Sequence, residues 1–273
     1  MLNYICPICS KPLSIETKQF KCENSHSFDV AKEGYVNLLP VQFKRSKEPG
    51  DNKAMVNARR DFLSKKYYEP LIKKITELMN TYAPAAKKVL DAGCGEGYYT
   101  HQHKTEKNVV YGIDIAKEAV KKAAKKYSNC HFSVGTLSKL PFAENEIDWL
   151  YSIYAPIIEN EFARVLKRNG YLLTVTPAAN HLIELKTCIY QNAQQHDQSK
   201  STIRQLVLLH EEQLTYNMMM ETGTDVLNLL SMTPFAFKAT EAVKTKLENS
   251  TNFKCQADFL IRVYQNQCAQ IHS

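Results

Sequence analysis

No apolar run in the 273 residues approaches the roughly 18 that a membrane-spanning helix needs, which excludes a chain threaded through a bilayer on helices. The opening MLNYICPICS carries neither the basic flank nor the apolar core of a secretory leader, so a soluble, cytoplasmic protein is expected. A disulfide-scaffold pattern of cysteines is also missing. Of eight, Cys94, Cys130, Cys188, Cys255 and Cys268 are scattered singly and only Cys6, Cys9 and Cys22 cluster, a usage that suits a reducing compartment better than a disulfide scaffold. Charge of one sign is in excess only locally. Between Lys44 and Lys74 there are ten Lys or Arg against four Asp or Glu, and the rest of the chain is nearly neutral although the whole carries +7. Such a stripe suits contact with a phosphate backbone through Arg59, Arg60, Lys65 and Lys66; the plainer reading is a solvated linker.

Glycine is scarce, nine in all, yet three of them stand within five positions in VLDAGCGEGYYT, at Gly93, Gly95 and Gly97. They follow an apolar strand signal and precede a helical one, so the backbone can turn sharply and approach a ligand with no Cβ in the way. Asp114 lies 21 residues beyond Gly93 at the end of a second apolar run, YGIDI, where a carboxylate can accept hydrogen bonds from both hydroxyls of a ribose. A dinucleotide site needs a third Gly or Ala where this chain has Tyr98. S-adenosylmethionine carries no pyrophosphate and suits this loop better than NAD. Asp91 either orients the loop or holds the ligand's ammonium group, and the alternative for the whole motif is a tight turn with a buried structural Asp.

Strand-like runs recur at KVLDA, VVYGID, HFSVG, DWLYSIYA and GYLLTVTP with helical or loop stretches between them, the alternation of a doubly wound, mostly parallel α/β sheet whose ligand chemistry lies beyond the strand C-termini. Gly135, Thr136 and Leu137 then fall where an adenine would sit, and Tyr154, Ala155 and Pro156 where an acceptor would. Asp148 is six residues before Tyr154, about 20 Å away on an extended strand, at the wrong edge for a general base. His181 stands at a helix start, as ligand contact or as cap. In KEAVKKAAKKY the apolar residues make one face and the lysines a solvated other. The C-terminal stretch supplies the last strands and a helix, with Met218, Met219 and Met220 as core filler.

Cys6 and Cys9 are two residues apart, Cys22 follows, and His26 comes after three more, the spacing of a closed, structural zinc site, with LSIETKQFKC between the pairs as a short hairpin. A unit of about 40 residues needs such a staple to hold a core. A redox CxxC is the competing reading and leaves the third Cys and the His idle. The resulting division is a zinc-binding unit over 1–40, a basic linker and helix over 41–66, and the main domain over 67–273, with two helices between 54 and 82 that bend around Lys65 to Pro70.

CPIC, CENSH, FLSKKYYEPL, VLDAGCGEGYYT, SIYAP, TPAANHLIELK, MTPFAF and CQADFLIRVYQ together resemble the bacterial methyltransferases that modify guanine N1 in hairpin 35 of the large-subunit ribosomal RNA. The resemblance spans nearly the whole chain. It implies a zinc-ribbon domain that recognises RNA, a class I S-adenosylmethionine-dependent fold with a seven-stranded sheet, and a homodimer whose cleft takes an RNA stem-loop. By matching motifs the metal ligands are Cys6, Cys9, Cys22 and His26, and the cofactor contacts include Tyr68, the loop from Glu96 to Tyr98, and His181. The branch acting on guanine 745 is expected over that acting on guanine 748. Tyr154 with the backbone at Ala155 and Pro156 would position the base while solvent takes the N1 proton. Two rivals stay open: a small-molecule methyltransferase, and an RNA-binding protein with a vestigial cofactor site.

Overall fold

The computed structural model describes residues 4–43, 50–190 and 203–267; Lys44, Arg45, Lys47 and Cys268 lie outside them. Two sharp knuckles open the chain, each closed by a residue in the left-handed region: Ser10 (φ 62°) after Cys9, and Ser25 (φ 61°) before His26. Between and after them run β1 (Ser14–Glu16), β2 (Gln19–Lys21) and β3 (Ser27–Asp29), an antiparallel sheet in the order β1-β2-β3. The hairpin read from LSIETKQFKC is β1-β2, with Glu16 opposite Gln19.

The chain then lays a two-residue strand, β4 (Val36–Asn37), along the main sheet. Two helices follow, α1 (Lys53–Ser64), capped by the Asn52 side chain on the Met55 N–H, and α2 (Glu69–Tyr82), which starts at Pro70's first turn where a missing N–H costs nothing. The α1 face of Val56, Phe62 and Leu63 is buried, so this helix is packed into the larger domain.

The main sheet contains β5 (Lys88–Ala92), β6 (Val109–Asp114), β7 (His131–Val134), β8 (Ile147–Ile153), β9 (Leu166–Pro177), β10 (Val207–Thr222) and β11 (Thr251–Gln265). Helices α3 (Lys117–Lys126), α4 (Glu159–Val165), α5 (Ile183–Ile189), α6 (Gly223–Ser231) and α7 (Glu241–Glu248) connect or cover these strands. The strand order is β4-β7-β6-β5-β8-β9-β11-β10, parallel from β4 to β9, with β11 antiparallel to both β9 and β10. This is the doubly wound class I order. The seven expected strands are present, and β4 is an eighth that periodicity could not reveal, because two residues show no period.

The direction of winding reverses between β5 and β8, so the crevice of the fold opens at their C-terminal ends. On one side of the sheet the ribbon closes the core: Tyr4 packs its ring against Phe20, Tyr111 and Phe142 with centroids 5.4–5.5 Å apart, in a buried cluster with Cys6, Leu13, Cys22, Leu90 and Leu140. One expectation needs correction. Met218 and Met220 are buried, but Met219 points the other way from strand β10 and is 51% exposed, as the two-residue alternation of a strand requires.

Candidate active site and metal centre

At the switch point the loop after β5 touches the end of β8. Gly93 has φ +89°, and a Cβ there would lie 2.4 Å from the Cβ of Ala155, so only glycine lets the two strand ends meet. The N–H groups of Gly93 and Cys94 both donate to the Ile113 carbonyl, at 2.8 and 3.0 Å, and the Gly95 N–H donates to the Asp114 carboxylate at 2.8 Å. Three consecutive donors are thus spent on the end of β6 and cannot cradle a pyrophosphate. An adenosyl donor that brings no phosphate fits such a loop; a dinucleotide does not.

Asp114 ends β6 half-buried, with its second oxygen held by the Ala116 N–H at 2.8 Å. A carboxylate has about four lone-pair sites, so two fixed by backbone leave capacity for a vicinal diol. Burial raises its pKa, opposed by these two N–H groups and by the nearby Arg59 guanidinium. Thr136 and Leu137 follow β7 beside it, half-buried, with Thr136 hydroxyl-bonded to Ser138 at 2.9 Å.

Asp91 turns beneath the loop. It accepts the Thr100 hydroxyl at 2.6 Å, its carboxyl is pushed up to about 7 by burial, and its neighbour Tyr151 is fully buried. Of the two roles left open for Asp91, this placement supports orientation of the loop. Glu96 is buried on the loop itself, 3% exposed, and burial pushes it up to about 7 against the pull of Lys126, Arg60, Arg59 and Lys122. Tyr98 packs edge-on against Tyr99 beside it.

Across the crevice lies an aromatic nest around Phe259 of β11. The rings of Tyr68, Tyr154, His181 and Tyr216 have centroids 5.0–6.1 Å from its own. The Tyr154 hydroxyl is 2.9 Å from His181 Nε2, and His181 Nδ1 accepts the Asp258 N–H at 3.1 Å. The His181 ring is therefore engaged by Tyr154 and β11, and α5 begins two residues later after Leu182 in the left-handed region, so His181 does not cap it. Tyr68 is buried at the start of α2. Sequence reasoning missed Phe259, Asp258, Tyr216 and Tyr99.

The four basic residues separate. Arg59 pairs with Asp51, reaches toward the Met232 carbonyl at 3.5 Å, and sits 3.9 Å from where a Cβ of Gly95 would be; it leans over the glycine loop. Arg60 pairs with its neighbour Asp61, and Lys65 and Lys66 stand exposed at the bend. Asp148 is at the opposite edge, held by the Lys87 and Lys88 N–H groups and by Lys167, as the strand count requires. Glu159 and Glu161 lie on α4, where Glu161 pairs with Arg164 and accepts the Leu140 N–H.

In the ribbon, one ligand atom from each of Cys6, Cys9, Cys22 and His26 lies within 4.8 Å of all the others. The measured edges are 3.7 Å for Cys9 Sγ to Cys22 Sγ, 3.6 Å for Cys6 Sγ to His26 Nδ1 and 3.5 Å for Cys22 Sγ to His26 Nδ1. Zinc bound at about 2.3 Å to sulfur and about 2.0 Å to nitrogen puts tetrahedral neighbours about 3.5–3.8 Å apart. The donor set and its dimensions fit that ion with no coordination position left open.

Comparison with known proteins agrees with this geometry. Residues 4–47 match the zinc-ribbon family described as "RlmA, N-terminal", and residues 84–229, more than half of the chain, match a methyltransferase domain. A protein of Micromonospora griseorubida, provisionally named a 23S rRNA (guanine-N(1)-)-methyltransferase, is 32% identical over 201 residues, 66% of this chain and 67% of its own length. YxjB of Bacillus subtilis, with the same provisional name, is 30% identical over 69% of each chain. The 23S rRNA (guanine(748)-N(1))-methyltransferase of Streptomyces fradiae is 34% identical over 66% of this chain and 65% of its own. With its ribbon, its methyltransferase domain and these relatives, the chain belongs to the family of bacterial 23S rRNA guanine-N1 methyltransferases.

Proposed function

We propose that this protein methylates N1 of a guanine in the hairpin 35 loop of 23S ribosomal RNA, with S-adenosylmethionine as donor, one structural zinc per chain and a cytoplasmic site of action. The observation that carries the reading is the contact of Gly93 with Ala155, which sets the cofactor loop directly beside Tyr154. Bound there, the sulfonium supplies an already activated methyl group, so the protein's work is placement and exclusion of water. Asp114 would hold the ribose, Thr136 and Leu137 the adenine, and Gly93, Gly95, Glu96, Gly97 and Tyr98 the methionine part, closed over by Tyr68 and His181. Asp91 keeps the loop in shape.

Lys65 and Lys66, exposed at the bend, and Arg60, half-buried on α1, suit RNA phosphates, and a hairpin loop presents its bases at little stacking cost. Arg59, turned onto the loop, belongs with the cofactor side. Guanine 745 is proposed over guanine 748 on the overall likeness of the sequence to the former branch, while the relative from Streptomyces fradiae is named for guanine 748. A homodimer that forms the RNA cleft is part of the same reading. Among the described residues no helix is long and apolar enough to cross a membrane.

Incubation with radiolabelled donor and either unmodified ribosomal RNA or a metabolite extract tests the proposal. Label in the RNA alone is expected. Label confined to metabolites would identify a small-molecule enzyme, and no transfer to either would leave an RNA-binding protein.

A further inference from the structure

The guanidinium of Arg59 is gripped from two sides and keeps donors to spare. Nη1 donates to the Asp51 carboxylate, and Nη2 reaches toward the Met232 carbonyl at 3.5 Å. A guanidinium has five N–H donors, so these two bonds leave three unspent among the described residues. Nη1 is 3.9 Å from the position that a Cβ of Gly95 would take. Apart from Gly95 and its chain neighbours, no other described atom lies within 4 Å of that position. Gly95 therefore floors an open slot whose near wall is a cation.

Three elements hold that wall in place. Gly50, at φ +86°, presses the chain onto the start of α3, where a Cβ would meet that of Ala116 at 2.8 Å, and this pins Asp51 beside the end of β6. Met232 closes α6, which packs against α1. Arg59 stands on α1 between them, half-buried like Asp51, so its charge is only partly screened. The charge reaches the groups around the crevice: it draws down the carboxyls of Asp114 and Glu96 and the phenols of Tyr68 and Tyr99, all of which burial raises. The other cations acting on Glu96 have partners of their own. Arg60 pairs with Asp61, Lys122 donates to Asn57, and Lys126 lies over the Tyr127 ring at 4.9 Å.

We infer that Arg59 binds the carboxylate at the methionine end of S-adenosylmethionine, in the slot above Gly95. The inference rests on the proposed cofactor and assigns to α1 a contact that the basic stripe of the sequence had placed on RNA. The donor's amino-acid end is a zwitterion, and its carboxylate takes no part in the reaction. It is a handle: fixing it sets how far along the glycine loop the sulfonium lies. Without a cation that carboxylate would face the like charges of Asp51 and Asp114. A guanidinium with unspent, forked donors matches a carboxylate better than a lysine ammonium would, because it can give two parallel bonds. Asp51 and the Met232 carbonyl are the braces that hold the fork before the ligand arrives.

Calorimetric titration of the full chain with two ligands tests this: S-adenosylhomocysteine, and its decarboxylated analogue, which keeps the adenosine, the sulfur and the ammonium group. Wild type is expected to bind the first about 30-fold more tightly than the second. Arg59→Gln should lose about 30-fold for S-adenosylhomocysteine and no more than about 3-fold for the analogue, so that the preference disappears. Arg59→Lys, which keeps the charge without the fork, should fall between. The wild-type preference needs no variant, so a variant that fails to fold leaves the test in force. Equal losses on both ligands would make Arg59 a brace for α1 alone and overturn the inference, as would a wild type indifferent to the carboxylate. Binding of neither ligand by wild type would overturn the cofactor reading with it. A carboxylate preference abolished in Arg59→Gln, in a protein that transfers no methyl to RNA, would uphold the inference while the guanine reading fails.

Discussion

Asp91 shows how a single buried carboxylate writes itself into stability. Its pKa rises from 3.8 to about 7 because burial penalises the charge more than the Thr100 hydroxyl supports it. The folded state therefore binds a proton that the unfolded chain releases between those values. Stability from this group is fully present below the unfolded pKa and is lost as pH rises through the folded one. Asp91→Asn keeps an acceptor for Thr100 and removes the charge. It should be more stable than wild type above neutrality, by on the order of 3 kcal/mol, with the difference vanishing toward pH 4. Denaturant titrations at several pH values check this, and a constant difference across the range would refute it. Glu96, also raised to about 7, adds a wild-type slope of the same sign over the same window.

Elements explain which parts of the site could be read in advance. The glycine loop, Asp114 and the zinc ligands are local in sequence, and each declares itself by spacing alone. The aromatic nest does not. Phe259, Tyr216 and Asp258 reach Tyr154 and His181 only because β11 inserts antiparallel between β9 and β10, and no local pattern states which strand neighbours which. Arg59 was legible in principle. It stands three residues after buried Val56 and four before buried Leu63, so helical periodicity puts it toward the inner face of α1 rather than in a surface stripe. The bend between α1 and α2 keeps the exposed Lys65 and Lys66, and replacing these together with the half-buried Arg60 of α1 by Ala should weaken hairpin RNA binding. It should also lower the salt dependence by about 0.7 in slope for each phosphate that is no longer neutralised, with cofactor affinity unchanged. An unaltered salt slope, measured by fluorescence titration at several ionic strengths, would make these residues ordinary surface.

The whole molecule couples its metal unit to its catalytic sheet through shared core. Tyr4, Cys6, Phe20 and Cys22 of the ribbon are buried with Tyr111, Leu140 and Phe142 of the main domain, and β4 pairs with β7 next to the strand that ends in Asp114. Removal of zinc by a strong chelator should therefore release one ion per chain, and hydrogen exchange should rise in both the ribbon and the β4-β7 edge. Loosening confined to the ribbon would show that the shared core is not cooperative. The central claim, that the Gly93–Ala155 junction serves transfer to guanine N1, is tested most directly by reverse transcription across hairpin 35 after incubating unmodified 23S RNA with protein and S-adenosylmethionine. A methyl on N1 blocks base pairing, so the account predicts a strong stop at one loop guanine, at 745 rather than 748. Read-through of the hairpin, with label absent or placed elsewhere in the RNA, would contradict it.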